Sequence, residues 1–204
     1  MNLLKSTLFA STFALSAIAG AITVKAEPGR FMDMKTVVKA PIGYQQFCKD
    51  NAAACSQSSY DPVVVRLNEA LWQQLIAINQ EVNSRVRPMT DEDLFGKVEH
   101  WSYPVNGYGD CEEYVLEKQR ILLNAGWPQS ALLITVAKDV QNSGHAVLTV
   151  RTDHGDMILD NQIEAVLPWY STPYRYIKRQ SASSAAKWTG ISDTRVTTVS
   201  SVSK

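Results

Sequence analysis

Between Leu67 and Val86 the apolar side chains Leu71, Leu75, Ile78 and Val82 recur at the three- and four-residue spacing that lines one face of a helix. Arg87-Pro88 closes the pattern, because a proline ring cannot continue the hydrogen-bonded spiral. A second helix is predicted from Cys111: Asp110 offers an N-cap oxygen, Glu113 stands three residues further on, and Gly126 with Pro128 beyond it marks the stop. After Pro128 the runs become short and β-like. Leu132 to Ala137, His145 to Arg151 and Met157 to Asp160 read as strands, parted by Asn142-Ser143-Gly144 and Asp153-His154-Gly155-Asp156. Helices followed by an antiparallel meander predict an α+β domain, with N-terminal helices packed on the sheet.

The flanks are less patterned. Residues 27–66 hold Pro28, Gly29, Pro41 and Gly43 with little periodicity and read as a loop-rich leading segment that wraps the domain. Residues 67–180 form the expected core. Residues 181–204 are rich in Ser, Thr and Ala and read as a flexible tail with Trp188 as its candidate anchor. Residues 1–26 carry Lys5, a mostly apolar and hydroxyl-bearing run, and Val24-Lys25-Ala26, a small-x-small pattern; this is the form of an export signal cleaved after Ala26. The run is too rich in Ser, Thr and Ala to resemble a membrane span.

Lys5 and Lys25 are two of the 20 basic residues, so the chain beyond residue 26 carries 18 against 20 acidic ones. That balance gives no electrostatic reason to bind nucleic acid or an anionic membrane. The three cysteines are an odd number in a chain bound for an oxidising compartment. Cys48 and Cys55 are the expected disulfide, pinning a short loop outside the core; the alternative is two reduced, buried thiols. Cys111 then stays single, and a free thiol there needs a reason.

The start of a helix favours the thiolate, which is the nucleophilic form of cysteine. A nearby imidazole must then take the proton, and a third polar group must hold that imidazole in the useful tautomer. His145 and Asp160 suit these roles. If the hairpin centres between Asp153 and His154, Asp160 falls opposite Val147, on the same face as His145 and within diagonal reach; a slip of one residue would separate them. Each residue also has an ordinary structural explanation, and His100 and His154 are rival bases. His154 lies at the far end of the hairpin and His100 in an irregular stretch.

The blocks Gly109-Asp110-Cys111-Glu112-Glu113-Tyr114-Val115, Gly126-Trp127-Pro128, Gly144-His145-Ala146-Val147-Leu148 and Leu159-Asp160-Asn161 resemble the bacterial transglutaminase-like cysteine peptidases. The likeness runs from about Leu67 to Arg179 and takes in Arg87-Pro88, Trp101, Tyr103-Pro104, Pro168-Trp169 and Lys178-Arg179-Gln180. It implies a papain-like scaffold and Cys111, His145 and Asp160 as a catalytic triad. Its LapG-like branch consists of periplasmic proteases that clip a large surface adhesin to release biofilm cells, and these are sequestered by an inner-membrane receptor sensing cyclic di-GMP. The resemblance therefore implies a periplasmic location, a protein substrate and those partners.

Asp110, Glu112 and Glu113 surround the thiol with negative charge, which opposes its activation. A bound cation would offset that charge, and carboxylate oxygens suit Ca²⁺; the LapG-like branch is similar here, with an acidic calcium cluster beside its cysteine. The ordinary alternative is acidic residues welcomed by the helix dipole. The Cys111 N–H is the natural first oxyanion donor and the Trp101 indole N–H a candidate second. Two other function classes stay open: an acyl transferase, which shares the first half-reaction, and a non-catalytic, calcium-dependent envelope scaffold.

Overall fold

The computed structural model describes residues 29–55 and 61–195. The expected signal at residues 1–26, its cleavage point after Ala26, and residues 196–204 lie outside them.

Local sequence explains where the two main helices begin and end. Helix α2 (Glu69–Arg85) starts at Asn68, whose side chain accepts the Leu71 N–H at 2.9 Å, and it ends on Val86 before Pro88. Helix α4 (Cys111–Asn124) starts in a full capping box: Asp110 accepts the Glu112 N–H, and the Glu113 carboxylate returns to the Asp110 N–H at 2.9 Å. It stops at Gly126, whose φ of +90° suits glycine, while the Gly126 and Trp127 N–H groups close back on Leu123 and Leu122. Shorter helices are α1 (Ile42–Asp50) and α3 (Asp91–Phe95).

Strands β1 (Met34–Val38), β4 (Leu132–Lys138), β5 (Gly144–Thr152), β6 (Gly155–Leu159), β7 (Leu167–Pro168), β8 (Arg175–Ser181) and β9 (Ser184–Ile191) form one antiparallel sheet in the order β1-β9-β8-β4-β5-β6-β7. A two-residue parallel ladder joins β2 (Arg87–Pro88) to β3 (Tyr108–Gly109), holding the end of α2 beside the start of α4. Alternation along the strands divides the core. Ala146, Leu148 and Val150 of β5 and Met157 and Leu159 of β6 pack with Leu75, Val82, Val115 and Leu122 from the helices. Val147, Ile158, Tyr174, Tyr176 and Trp169 pack on the opposite face.

The structure agrees with the α+β expectation and differs at both flanks. The leading segment is not simply loop: it supplies α1 and the edge strand β1, which pairs with β9 from Met34↔Ile191 to Val38↔Trp188. The segment after Ser181 is not a flexible tail up to Asp193. It adds β9, and Trp188 is buried within the core. Small residues such as Ser184 and Ala185 are buried there, so sparse large apolar side chains misled the sequence reading. Cys48 and Cys55 do form the disulfide, but Cys55 is buried and packs into the main core rather than pinning an outlying loop.

Candidate active site

Cys111 occupies the first position of α4 and is the free cysteine among the described residues. His145 stands near the start of β5, and Asp160 follows the last residue of β6. The β5–β6 ladder runs from Thr152↔Gly155 to Leu148↔Leu159, so its next step sets Asp160 opposite Val147, the register expected from the hairpin. The result is a 2.8 Å contact between His145 Nε2 and Asp160 Oδ1, with both side chains buried. Cys111 and His145 line the same cleft of about 620 Å³, together with Trp101, Glu99, Glu112 and Gln162. His154 sits in the far turn, and His100 packs edge-on against Phe95 at 4.4 Å.

Asp160 is densely held. Its Oδ1 also accepts the Gln162 N–H at 3.0 Å, and its Oδ2 accepts the Tyr174 hydroxyl. Burial pushes this carboxyl upward, yet the hydrogen bonds from His145, Tyr174 and Gln162 overcome it and keep the group below its usual range. An ionised Asp160 accepts only donors, which assigns the proton of neutral His145 to Nε2 and leaves a lone pair on Nδ1. That lone pair meets the Gln162 amide nitrogen at 3.3 Å.

The thiol is restrained. Cys111 Sγ donates to Glu112 Oε2 at 2.8 Å. Burial pushes the thiol well above its ordinary range, and the charge and hydrogen bond of Glu112 and the charge of Asp110 add to the effect, opposed by the Ala146 N–H. Glu112 is itself pushed well up, by burial first and by Asp110 next. The conflict anticipated from the sequence is therefore present in the folded chain.

The three acidic residues chosen from sequence do not meet at one point. Asp110 and Glu112 approach one another around Cys111, while Asp110 and Glu113 group with Asp91, a residue the sequence reading missed. Asp91 is buried, accepts the His100 N–H through Oδ2, and leaves Oδ1 without a partner. Glu113 is fully buried, and burial, opposed by the Asp110 N–H and aided by the Asp110 charge, lifts it to about 8. A buried, orphaned carboxylate oxygen beside two more carboxylates is a set of hard donors lacking a positive charge. Its sequence signal is Thr90, which caps α3 and thereby fixes Asp91.

Trp101 lies at the cleft, but its indole N–H donates to Glu99 Oε1 at 2.8 Å. Gly43 on α1 admits the indole, since a side chain there would overlap Trp101 Cδ1 and stand 2.9 Å from its Nε1. Lys118, two turns along α4 from Cys111, is also buried. Burial pulls its ammonium down to about 7, against the opposing attraction of Asp160.

Among solved structures, calcium-bound LapG of Legionella pneumophila is 26% identical, over 55% of this chain and 66% of that one, at a TM-score of 0.49. A second Legionella pneumophila LapG structure is 28% identical, over 55% and 64%, at 0.48. The EGTA-treated form is 26% identical, over 61% and 72%, at 0.50. The matched region thus spans about two thirds of the LapG chains. No curated protein matches the sequence. The family model of the bacterial transglutaminase-like cysteine proteinases (BTLCP) matches residues 34–196, from the edge strand β1 to just beyond β9, and the chain belongs to that family.

Proposed function

We propose that this chain is an exported, periplasmic cysteine endopeptidase in which Cys111 is the nucleophile, His145 the base and Asp160 the group that orients the base. The observation that carries this reading is the buried contact between His145 Nε2 and Asp160 Oδ1, which leaves Nδ1 unprotonated at a cleft shared with Cys111. Nδ1 takes the thiol proton, and the thiolate attacks the peptide carbonyl carbon. The oxyanion falls to the Cys111 N–H at the helix start. The Nδ1–H then protonates the departing amine, leaving a thioester that water, deprotonated by His145, hydrolyses. For the Trp101 indole to act as second donor it must first leave Glu99.

Calcium fits the carboxylates. Asp110 would hold it with Asp91 and Glu113, and the unpartnered Asp91 Oδ1 supports a cation there. The bound ion would supply positive charge that offsets the carboxylates raising the Cys111 thiol. That Legionella LapG is known in calcium-bound and EGTA-treated forms favours the same ion. By resemblance to the LapG-like branch, the substrate would be the N-terminal region of a large surface adhesin and the regulator an inner-membrane cyclic-di-GMP receptor.

The test is iodoacetamide labelling of the purified protein across pH, with and without calcium, in wild type and His145→Ala. A Cys111 that titrates below its free value of about 8.5 with calcium, and loses that shift without His145, supports the pair. Slow, unshifted labelling in all samples would leave the scaffold reading in its place. Product masses from an adhesin fragment separate hydrolysis from acyl transfer.

A further inference from the structure

Both partners of the proposed proton transfer are engaged elsewhere in the resting cleft. The Cys111 thiol donates to Glu112, and the bare Nδ1 of His145 accepts from the Gln162 amide at 3.3 Å. Gln162 is exposed and sits in the segment after β6, where its backbone N–H is fixed to Asp160 Oδ1 at 3.0 Å. Its side chain can therefore swing out and hydrogen-bond to water, leaving Nδ1 to the Cys111 thiol, while its backbone keeps hold of the aspartate that orients the base.

We propose that Gln162 is a positioning residue for His145: its amide occupies the base nitrogen in the resting cleft and yields it to the Cys111 thiol when a substrate enters. The inference rests on the triad assignment above. The transfer it controls breaks the S–H bond and forms an Nδ1–H bond, with the electron pair left on sulfur. An amide N–H pointed at Nδ1 competes with the thiol for one lone pair and, once Nδ1 is protonated, faces it donor to donor. The carboxamide must then turn to offer its oxygen or leave. Gln162 lines the cleft beside Asn161, together with Cys111 and His145, so a peptide lying along the cleft meets this side chain.

The experiment is the pH profile of Cys111 alkylation by iodoacetamide in the purified protein at saturating calcium throughout, comparing wild type, Gln162→Leu, Gln162→Asn and His145→Ala. Leucine keeps the bulk without the donor, and asparagine keeps the amide but falls one methylene short of Nδ1. A freed lone pair predicts labelling about two- to tenfold faster near neutral pH in both variants, the fold-change of one ordinary hydrogen bond, with the inflection moved to lower pH. An unaltered melting temperature excludes a general loosening. Profiles in both variants that match wild type, or slower labelling, overturn the proposal. If His145→Ala also labels like wild type, the triad assignment itself fails; if only His145→Ala differs, the triad stands and the Gln162 role alone is lost.

Discussion

Lys118→Met should stabilise the protein, and by an amount that depends on pH. In the folded chain this lysine titrates at about 7, against 10.5 when free, because burial penalises the ammonium more than Asp160 compensates it. The difference, roughly 3.5, corresponds at about 1.36 kcal/mol per pH unit to a cost on the order of 5 kcal/mol. Because the folded value is the lower one, the unfolded chain binds the extra proton between pH 7 and 10.5. The cost is complete below pH 7 and fades as pH rises toward 10.5. Methionine keeps the unbranched stem and removes the charge, giving up a weak contact with the Tyr114 ring at 5.9 Å. After relaxation, about half the full figure, roughly 2–3 kcal/mol, is expected at pH 6, or about 4–12 °C in melting temperature for a domain of this size. The assay is thermal denaturation of wild type and variant at pH 6, 8 and 10, and the advantage should shrink along that series. A variant that melts lower at pH 6, or whose advantage is the same at all three values, would refute the reasoning.

Two further outcomes follow from the site. Glu113 titrates at about 8 when folded, above its free value of 4.5, so the cation-free fold loses stability as pH rises through that window. Calcium needs the carboxylate ionised, so its stabilising effect should grow between pH 6 and 8.5, read by melting temperature; equal gains at both ends would remove Glu113 from the ligand set. Gly43→Ala should push the Trp101 indole out of place, costing about 1–3 kcal/mol in a thermal melt and slowing peptide turnover. Normal stability and turnover would show that the indole has room to shift.

Much of the site was legible because its signals are local. Asp110 and Glu113 cap α4 at the residue that bears the thiol, and the turn at Asp153–Asp156 fixes a register that joins His145 to Asp160. The sheet was harder. Strand β8 includes Lys178, Arg179 and Gln180, and the buried Arg179 meets Asp156 at 2.7 Å. No local pattern announces a strand whose charge is answered by another strand. Asp91 was missed because its partners lie about 20 residues away, and the Gln162 side chain because an amide two residues past an aspartate looks like ordinary loop.

The pairing of β1 with β9 also leaves an open edge. Met34 pairs with Ile191, so β1 joins the sheet only once β9 is in it. All five residues of β1 are exposed even when paired, and its outer edge carries no further strand among the described residues. Unpaired backbone groups on such an edge are a template for a strand from a second copy. Lys35, set among Met34, Thr36, Val37 and Val38, places a charge that such a pairing would have to accommodate.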